Sequence, residues 1–316
     1  MVYVLFVIGF VLLIYGANFL VDGAASLAKK FNISSIVIGL TIVALGTSSP
    51  ELVVNLIASF QESEDVALGN ILGSNISNIF LILGVSALIF PLTVNNNTHW
   101  KEIPLALLAA VVLGVAANDA LIDGHGLSFI TRSDGIILIA FFLLFMYYAF
   151  SIARLTGPEE FVIKTFSVPR SWLMIAGGIA GLVIGGKWIV DGAVVIASAL
   201  GMSEAVISLT IIAIGTSLPE LATCVVAAMK RNPDIVIGNV IGSNIFNVFF
   251  VLGTSAVIKP LPFNPVLNFD VYTGIIACIL LFVFLLMPRR KVLERWQGGV
   301  FVAIYIAYLS ILLLKG

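Results

Sequence analysis

Two glutamates lie where a chain should carry none. Glu51 follows Gly46-Thr47-Ser48-Ser49-Pro50, and Glu220 follows Gly215-Thr216-Ser217-Leu218-Pro219, each deep in an apolar run of spanning length. An acid at the centre of a membrane helix costs about 2.5–3.5 kcal/mol on insertion scales, so it is kept only where something satisfies it. No basic residue is placed at that depth: Lys187 sits near the outer end of its own run, at i, i+4 spacing to Asp191. The missing positive charge is therefore a bound cation or a proton.

The neighbours of the two acids are oxygen donors. A proline inside a helix removes one backbone hydrogen bond, here leaving the Gly46 and Gly215 carbonyls without their usual donors. The carbonyls of Ala44 and Ala213 are freed as well if the helix unwinds there. Thr47, Ser48, Thr216 and Ser217 add hydroxyls, and the next run in each case adds Ser74 and Asn78 or Ser243 and Asn247. An all-oxygen set suits hard ions such as Ca²⁺ and Na⁺ and not soft metals. The plainer alternative makes Thr-Ser-x-Pro a kink and Gly69, Gly73, Gly238 and Gly242 a packing face that admits a neighbouring helix. That accounts for the prolines and glycines but gives no reason to keep an acid in lipid. Asn75 and Asn244 read as interhelical hydrogen-bonders, Asp22 and Asp191 as interfacial caps near span ends. His99 and His125 fall in connections, where a solvated imidazole is the default. Cys224 and Cys278 fall in apolar runs as small hydrophobes.

The elements that must position these groups are helices in a bilayer. The 316 residues are 60% hydrophobic and 10% charged, and mean hydropathy is +1.14, which excludes a soluble globule. Ten spans are expected, at about 2–28, 34–60, 65–90, 101–119, 133–154, 171–199, 204–229, 234–258, 269–288 and 296–314. The first reads as a retained span and not a signal peptide, having no basic n-region and no clear cleavage site. Most basic residues, including Lys29, Lys30, Lys101, Lys230, Arg231 and Arg295, fall at odd-numbered connections. The positive-inside rule then puts those connections in the cytoplasm and both termini outside.

The chain also repeats itself. The offset is 169 residues between Glu51 and Glu220, between Ser74 and Ser243, between Asn78 and Asn247, and between Asp22 and Asp191. Residues 1–155 form one five-helix repeat and 170–316 the other, joined by a cytoplasmic loop at 156–169. An odd number of spans per copy makes the repeats inverted.

At Gly-Thr-Ser-x-Pro-Glu and Gly-Asn-x-x-Gly-Ser-Asn-Ile, each present twice, the sequence resembles the calcium/cation antiporter superfamily, in its short prokaryotic sodium/calcium exchanger branch. The resemblance covers the whole chain. It implies an all-α integral membrane fold of ten helices, in which broken helices surround a diamond of ion sites and the first and sixth spans slide past that core. It further implies that Glu51 and Glu220 bind Ca²⁺, with backbone oxygens of Ala44, Thr47, Ala213 and Thr216 and side chains of Ser48, Ser74, Ser217 and Ser243 completing the shells. Members of the family often carry aspartate where this chain has Asn247, leaving two formal negative charges. Proton-using members typically have an acidic segment in place of Gly-Ser, and potassium-dependent ones an aspartate after the second proline; neither occurs here.

The expected function is secondary active antiport of Ca²⁺ against Na⁺ by alternating access in a prokaryotic plasma membrane. A proton-coupled Ca²⁺ antiporter is the alternative, followed by a cation channel and a purely structural or sensory membrane protein. No enzyme is expected, nor a cofactor besides the transported Ca²⁺ and Na⁺, nor a nucleic-acid or obligatory protein partner.

Overall fold

The structure is a computed structural model that describes residues 2–60, 64–124, 128–153, 164–200, 215–286 and 291–315. Its long helices are α1 (Val2–Phe31), α2 (Ser35–Thr47), α3 (Ser49–Ser59), α4 (Ala67–Ile89), α5 (Thr98–Ala116), α6 (Arg132–Ile152), α7 (Val168–Ala199), α8 (Leu218–Met229), α9 (Pro233–Ile258), α10 (Pro265–Leu286) and α11 (Arg295–Leu314). Among the described residues, eight are long and apolar enough to cross a membrane alone. The pair α2 and α3, bent by 45° at Ser48, makes a ninth. The chain is thus a multi-pass membrane protein. Of the expected seventh span only the part from Gly215 onward is described. His125 and most of the expected inter-repeat loop lie outside the described residues.

The helices form a core and a shell. The window of α9 is 94% buried and that of α4 72%, whereas α1, α5, α6, α7, α10 and α11 each turn about two thirds of their length outward. That apolar outer face is what lipid requires, and the two central helices are the ones carrying the Gly-Asn-x-x-Gly-Ser-Asn motifs. The glycines let backbones meet: a Cβ built on Gly238 would lie 2.6 Å from the Ile36 carbonyl oxygen, and one on Gly242 2.6 Å from that of Leu40.

Short strands clip the shell together. β1 (Leu92–Thr93) pairs antiparallel with β4 (Val292–Leu293), and β2 (Phe129–Ile130) with β3 (Leu261–Pro262). Each clip joins the end of a central helix in one half to the start of the last helix in the other. Behind them the same helices touch backbone to backbone. A Cβ on Gly298 of α11 would stand 2.6 Å from the Gly84 oxygen of α4, and one on Gly135 of α6 2.7 Å from that of Gly253 in α9. The two halves of the sequence are therefore interlocked.

Two expectations are corrected here. His99 is fully buried, its ring stacked on Phe282 at 4.7 Å between centroids. The reason is that α5 starts earlier than expected: Asn95 Oδ1 accepts from the Thr98 amide (2.9 Å) and hydroxyl (3.0 Å), capping the helix and drawing His99 into the bundle. Asp22 and Asp191 do not cap helix ends, because α1 runs on to Phe31 and α7 to Ala199. Asp22 instead pairs with Lys230 at 2.7 Å, a part-exposed ion pair of the kind worth about 0–1 kcal/mol. Lys187 and Asp191, both exposed, do not close to ion-pair distance.

α1 and α7 pack along a glycine seam. A Cβ on Gly178 would come within 2.7 Å of the Leu20 backbone nitrogen, and one on Gly185 within 2.7 Å of the Gly9 oxygen, whereas one on Gly177 meets nothing within 4 Å. Gly178→Ala should therefore lower the melting temperature of the purified protein, overpacking costing about 1–3 kcal/mol. Gly177→Ala, on the open face, should leave it unchanged or raise it slightly. Equal melting of the two variants would contradict the seam.

Candidate functional site

The two broken helices meet at the centre of the bundle. Ser48 sits at φ −84°, ψ 8° between α2 and α3, and Ser217 at φ −84°, ψ 3° before α8. Both are outside the helical well, so each proline stands just inside a new helix, where its missing N–H costs nothing. Glu51 and Glu220 follow in the first turn of α3 and α8, the end whose dipole favours negative charge. Each is 1% exposed.

The polar contacts obey the sequence offset. Thr47 Oγ1 donates to Asn239 Oδ1 (3.0 Å), and Thr216 Oγ1 to Asn70 Oδ1 (3.2 Å). Ser48 Oγ lies 2.9 Å from Ser243 Oγ, and Ser217 Oγ 3.4 Å from Ser74 Oγ. Asn75 Nδ2 donates to the Asn244 carbonyl at 3.2 Å, and Asn244 Nδ2 to that of Asn75 at 3.3 Å. Asn78 Nδ2 donates to Asn244 Oδ1 (2.9 Å) and Asn247 Nδ2 to Asn75 Oδ1 (3.1 Å). One contact crosses the halves without a described mirror image: Ser48 Oγ donates to Glu220 Oε1 at 3.0 Å, which makes Ser243 the donor to Ser48. Asn75 and Asn244 are thus interhelical hydrogen-bonders, as expected from sequence.

These bonds leave several acceptors unmet. With their amide nitrogens engaged, Asn78 and Asn247 keep a buried Oδ1 with no hydrogen-bond partner, and Glu51 and Glu220 each keep a buried Oε2 in the same condition. No lysine or arginine among the described residues pairs with either glutamate. Such oxygens are costly in a dry interior unless a positive species meets them. Two carboxylates and two amide oxygens, with no thiolate or imidazole beside them, fit a hard cation. Among the described residues no cluster of three or more His, Cys, Asp or Glu exists, as fits a site built mainly from neutral oxygens.

The structure groups the expected residues in sets: Ser48 with Ser243 and Glu220, Ser217 with Ser74, Thr47 with Asn239, Thr216 with Asn70, and Asn78 and Asn247 with the Asn75–Asn244 pair, while Glu51 is buried in the first turn of α3. Ala44 departs from expectation. The helix stays wound through Thr47, so the Ala44 carbonyl still accepts from the Ser48 amide (2.9 Å). Ala213 lies outside the described residues. Sequence reasoning missed Asn70 and Asn239, which orient the two threonines. The signal was their place in the repeated Gly-Asn-x-x-Gly motif. It also missed that Asn239 Nδ2 donates to Cys224 Sγ at 3.3 Å, so this thiol is an acceptor as well as core.

The chain is 36% identical to the inner membrane protein YrbG of Escherichia coli (strain K12), over 98% of this chain and 95% of that protein. It is 31% identical to the sodium/calcium exchanger MaX1 of Methanosarcina acetivorans, over 98% of both. Among solved structures it resembles the sodium-calcium exchanger NCX_Mj soaked with 10 mM Na⁺ and zero Ca²⁺, at TM-score 0.85 and 34% identity, over 98% of this chain and 99% of that one. The family model described as sodium/calcium exchanger protein matches residues 1–151 and 170–314. With nearly its whole length matched, the chain belongs to the sodium/calcium exchanger protein family.

Proposed function

We propose that the chain is a secondary active antiporter that exchanges Ca²⁺ for Na⁺ across a prokaryotic plasma membrane by alternating access. The observation that carries this reading is the set of four buried, unpartnered oxygens on Glu51, Glu220, Asn78 and Asn247, with no protein counter-charge. Family membership and the exchangers named above support the choice of ions. The carboxylates bind either Ca²⁺ or Na⁺, so one load leaves before the other enters. An empty site would carry two unpaired charges through an apolar barrier, so only loaded forms cross, which makes exchange obligatory. The Ca²⁺ ligands are the Glu51 and Glu220 carboxylates with Ser48, Ser74, Ser217, Ser243 and the Asn78 and Asn247 amide oxygens. Thr47, Thr216 and Ala213 supply backbone oxygens for Na⁺.

Ten spans in two inverted five-helix repeats, with both termini outside, suit this function. The strand clips support the alternation: β1–β4 joins the third and ninth connections and β2–β3 the fourth and eighth, so each clip lies on one side of the membrane. The glycine seam between α1 and α7 supports a pair that moves past the core together, since it packs the two helices closely against each other.

The deciding experiment is ⁴⁵Ca²⁺ uptake into proteoliposomes under imposed Na⁺, K⁺ or H⁺ gradients. Uptake should follow outward Na⁺ alone. Uptake driven by H⁺ would establish the proton-coupled alternative, and uptake without any opposing gradient a channel. Glu51→Gln and Glu220→Gln should each reduce Na⁺-driven uptake at least about a hundredfold, since removing one charge from a buried pair costs about 3–5 kcal/mol. Normal uptake in either variant refutes the assignment. Asn247→Asp adds a carboxylate beside the cation, so at pH 8 half-saturating Ca²⁺ should fall about tenfold, or 1.4 kcal/mol. At pH 5 the difference should narrow as the new acid takes a proton; an unchanged value at pH 8 would remove Asn247 from the ion's shell.

A further inference from the structure

Away from the ion site, a cavity of about 510 Å³ opens on the flank of the bundle between α2, α6 and α7, with Phe246 of α9 on its floor. Its walls are apolar, among them Val37, Leu45, Phe145 and Ile179. The polar side chain on that wall, Thr41, is already committed, its hydroxyl donating to the Val37 carbonyl at 2.7 Å. A polar solute therefore finds nothing to bond inside. From Ser35 to Leu45 the wall follows about ten residues of helix, roughly 15 Å at 1.5 Å per residue, with Ile33 just before its start. That is close to one leaflet of a hydrocarbon core about 30 Å thick.

The two ends differ. The deep end stops at Leu45 and Ile179, beside Gly46 of the broken helix, where a Cβ would strike Ile179 at 2.6 Å. The other end opens at Ile33, Ala153 and Trp172. Trp172 is 48% exposed and neighbouring Phe31 51%, placing this mouth at the level of an interfacial aromatic belt. Exposed Lys30 lies three residues before Ile33, and exposed Lys164 and Arg170 lie on the segment leading into Trp172, which is tied to the end of α1 by the Ser171–Ser26 hydroxyl contact at 2.9 Å; the Arg170 guanidinium carbon is 4.8 Å from the Phe166 ring centroid. Residues 29–36, 150–153 and 164–172 include no acid. A cationic rim with an arginine fork selects phosphate, and the trough behind it selects one alkyl chain.

We propose that this groove is a binding site for an anionic phospholipid, with one acyl chain laid between α2 and α7 and its phosphate held by Lys30 and Arg170. Binding does not depend on which ions the protein carries, so the test reads lipid and not transport. A variant with Trp172 as sole tryptophan, the other three changed to phenylalanine, is placed in nanodiscs of phosphatidylcholine. Phosphatidylglycerol or phosphatidylcholine with brominated chains is then titrated in. Brominated phosphatidylglycerol should quench Trp172 at a several-fold lower mole fraction than brominated phosphatidylcholine. Lys30→Gln with Arg170→Gln should abolish that preference, and Ala176→Phe, which fills the groove, should weaken quenching by both lipids. Equal quenching by the two lipids before those changes would mean annular contact alone and overturn the proposal. So would loss of the preference on adding free glycerol phosphate at millimolar concentration, which would mean a phosphate site without a lipid. Should the tryptophan replacements prevent folding, native mass spectrometry of the unaltered chain supplies the same comparison: retention of phosphatidylglycerol over phosphatidylcholine is expected, and equal retention overturns it.

Discussion

The structure is organised by an electrostatic debt: two carboxylates in a dry interior with no basic side chain to meet them. One oxygen of each carboxylate is left without a hydrogen-bond partner. Hydroxyl and amide hydrogens that might have quenched Glu51 and Glu220 are mostly committed elsewhere, to Asn70, Asn239, Asn75 and Asn244. Ser48 donates to Glu220 Oε1, and even there Glu220 Oε2 keeps no hydrogen-bond partner. A fully satisfied network would be more stable and would bind nothing.

Holding such a site open demands rigidity around it, and α4 and α9 provide it. They are the most enclosed helices, and each bears an asparagine that bonds reciprocally to the other. Both pass through π-helical turns directly afterwards, at Asn78–Leu83 and Asn247–Leu252. The extra residue per turn shifts which carbonyls are bonded, a distortion common at functional sites. The outer helices, by contrast, meet the core through glycine contacts and apolar side chains, aromatic pairs such as Phe80–Phe301 and Phe141–Phe249 among them. Tight bonding inside and smooth contact outside separate the part that selects an ion from the part that can move.

Much of this was readable from residues alone. Glu51 and Glu220 announce themselves because composition says lipid and their side chains say charge; the breaks at Ser48 and Ser217 follow from proline, and span limits agree to within a few residues. What escaped depends on contacts far apart in sequence. Asn70 and Asn239 look like ordinary polar members of a small-residue motif until Thr216 and Thr47 are found opposite them. The burial of His99 turned on an asparagine cap three residues before the helix, and the partner of Asp22 sits 208 residues away. Whether the Ala44 carbonyl was free depended on the residue at which unwinding begins, which propensity does not fix.

The cross-wise strand clips bear on how the molecule is made. During synthesis α1 to α6 leave the ribosome with α4 lacking α11 and α6 lacking α9, their glycine surfaces facing acyl tails. Maturation must then wait for the last helix, and a chain stopped after its first half presents quality-control proteases with bare backbone troughs instead of a finished half-transporter.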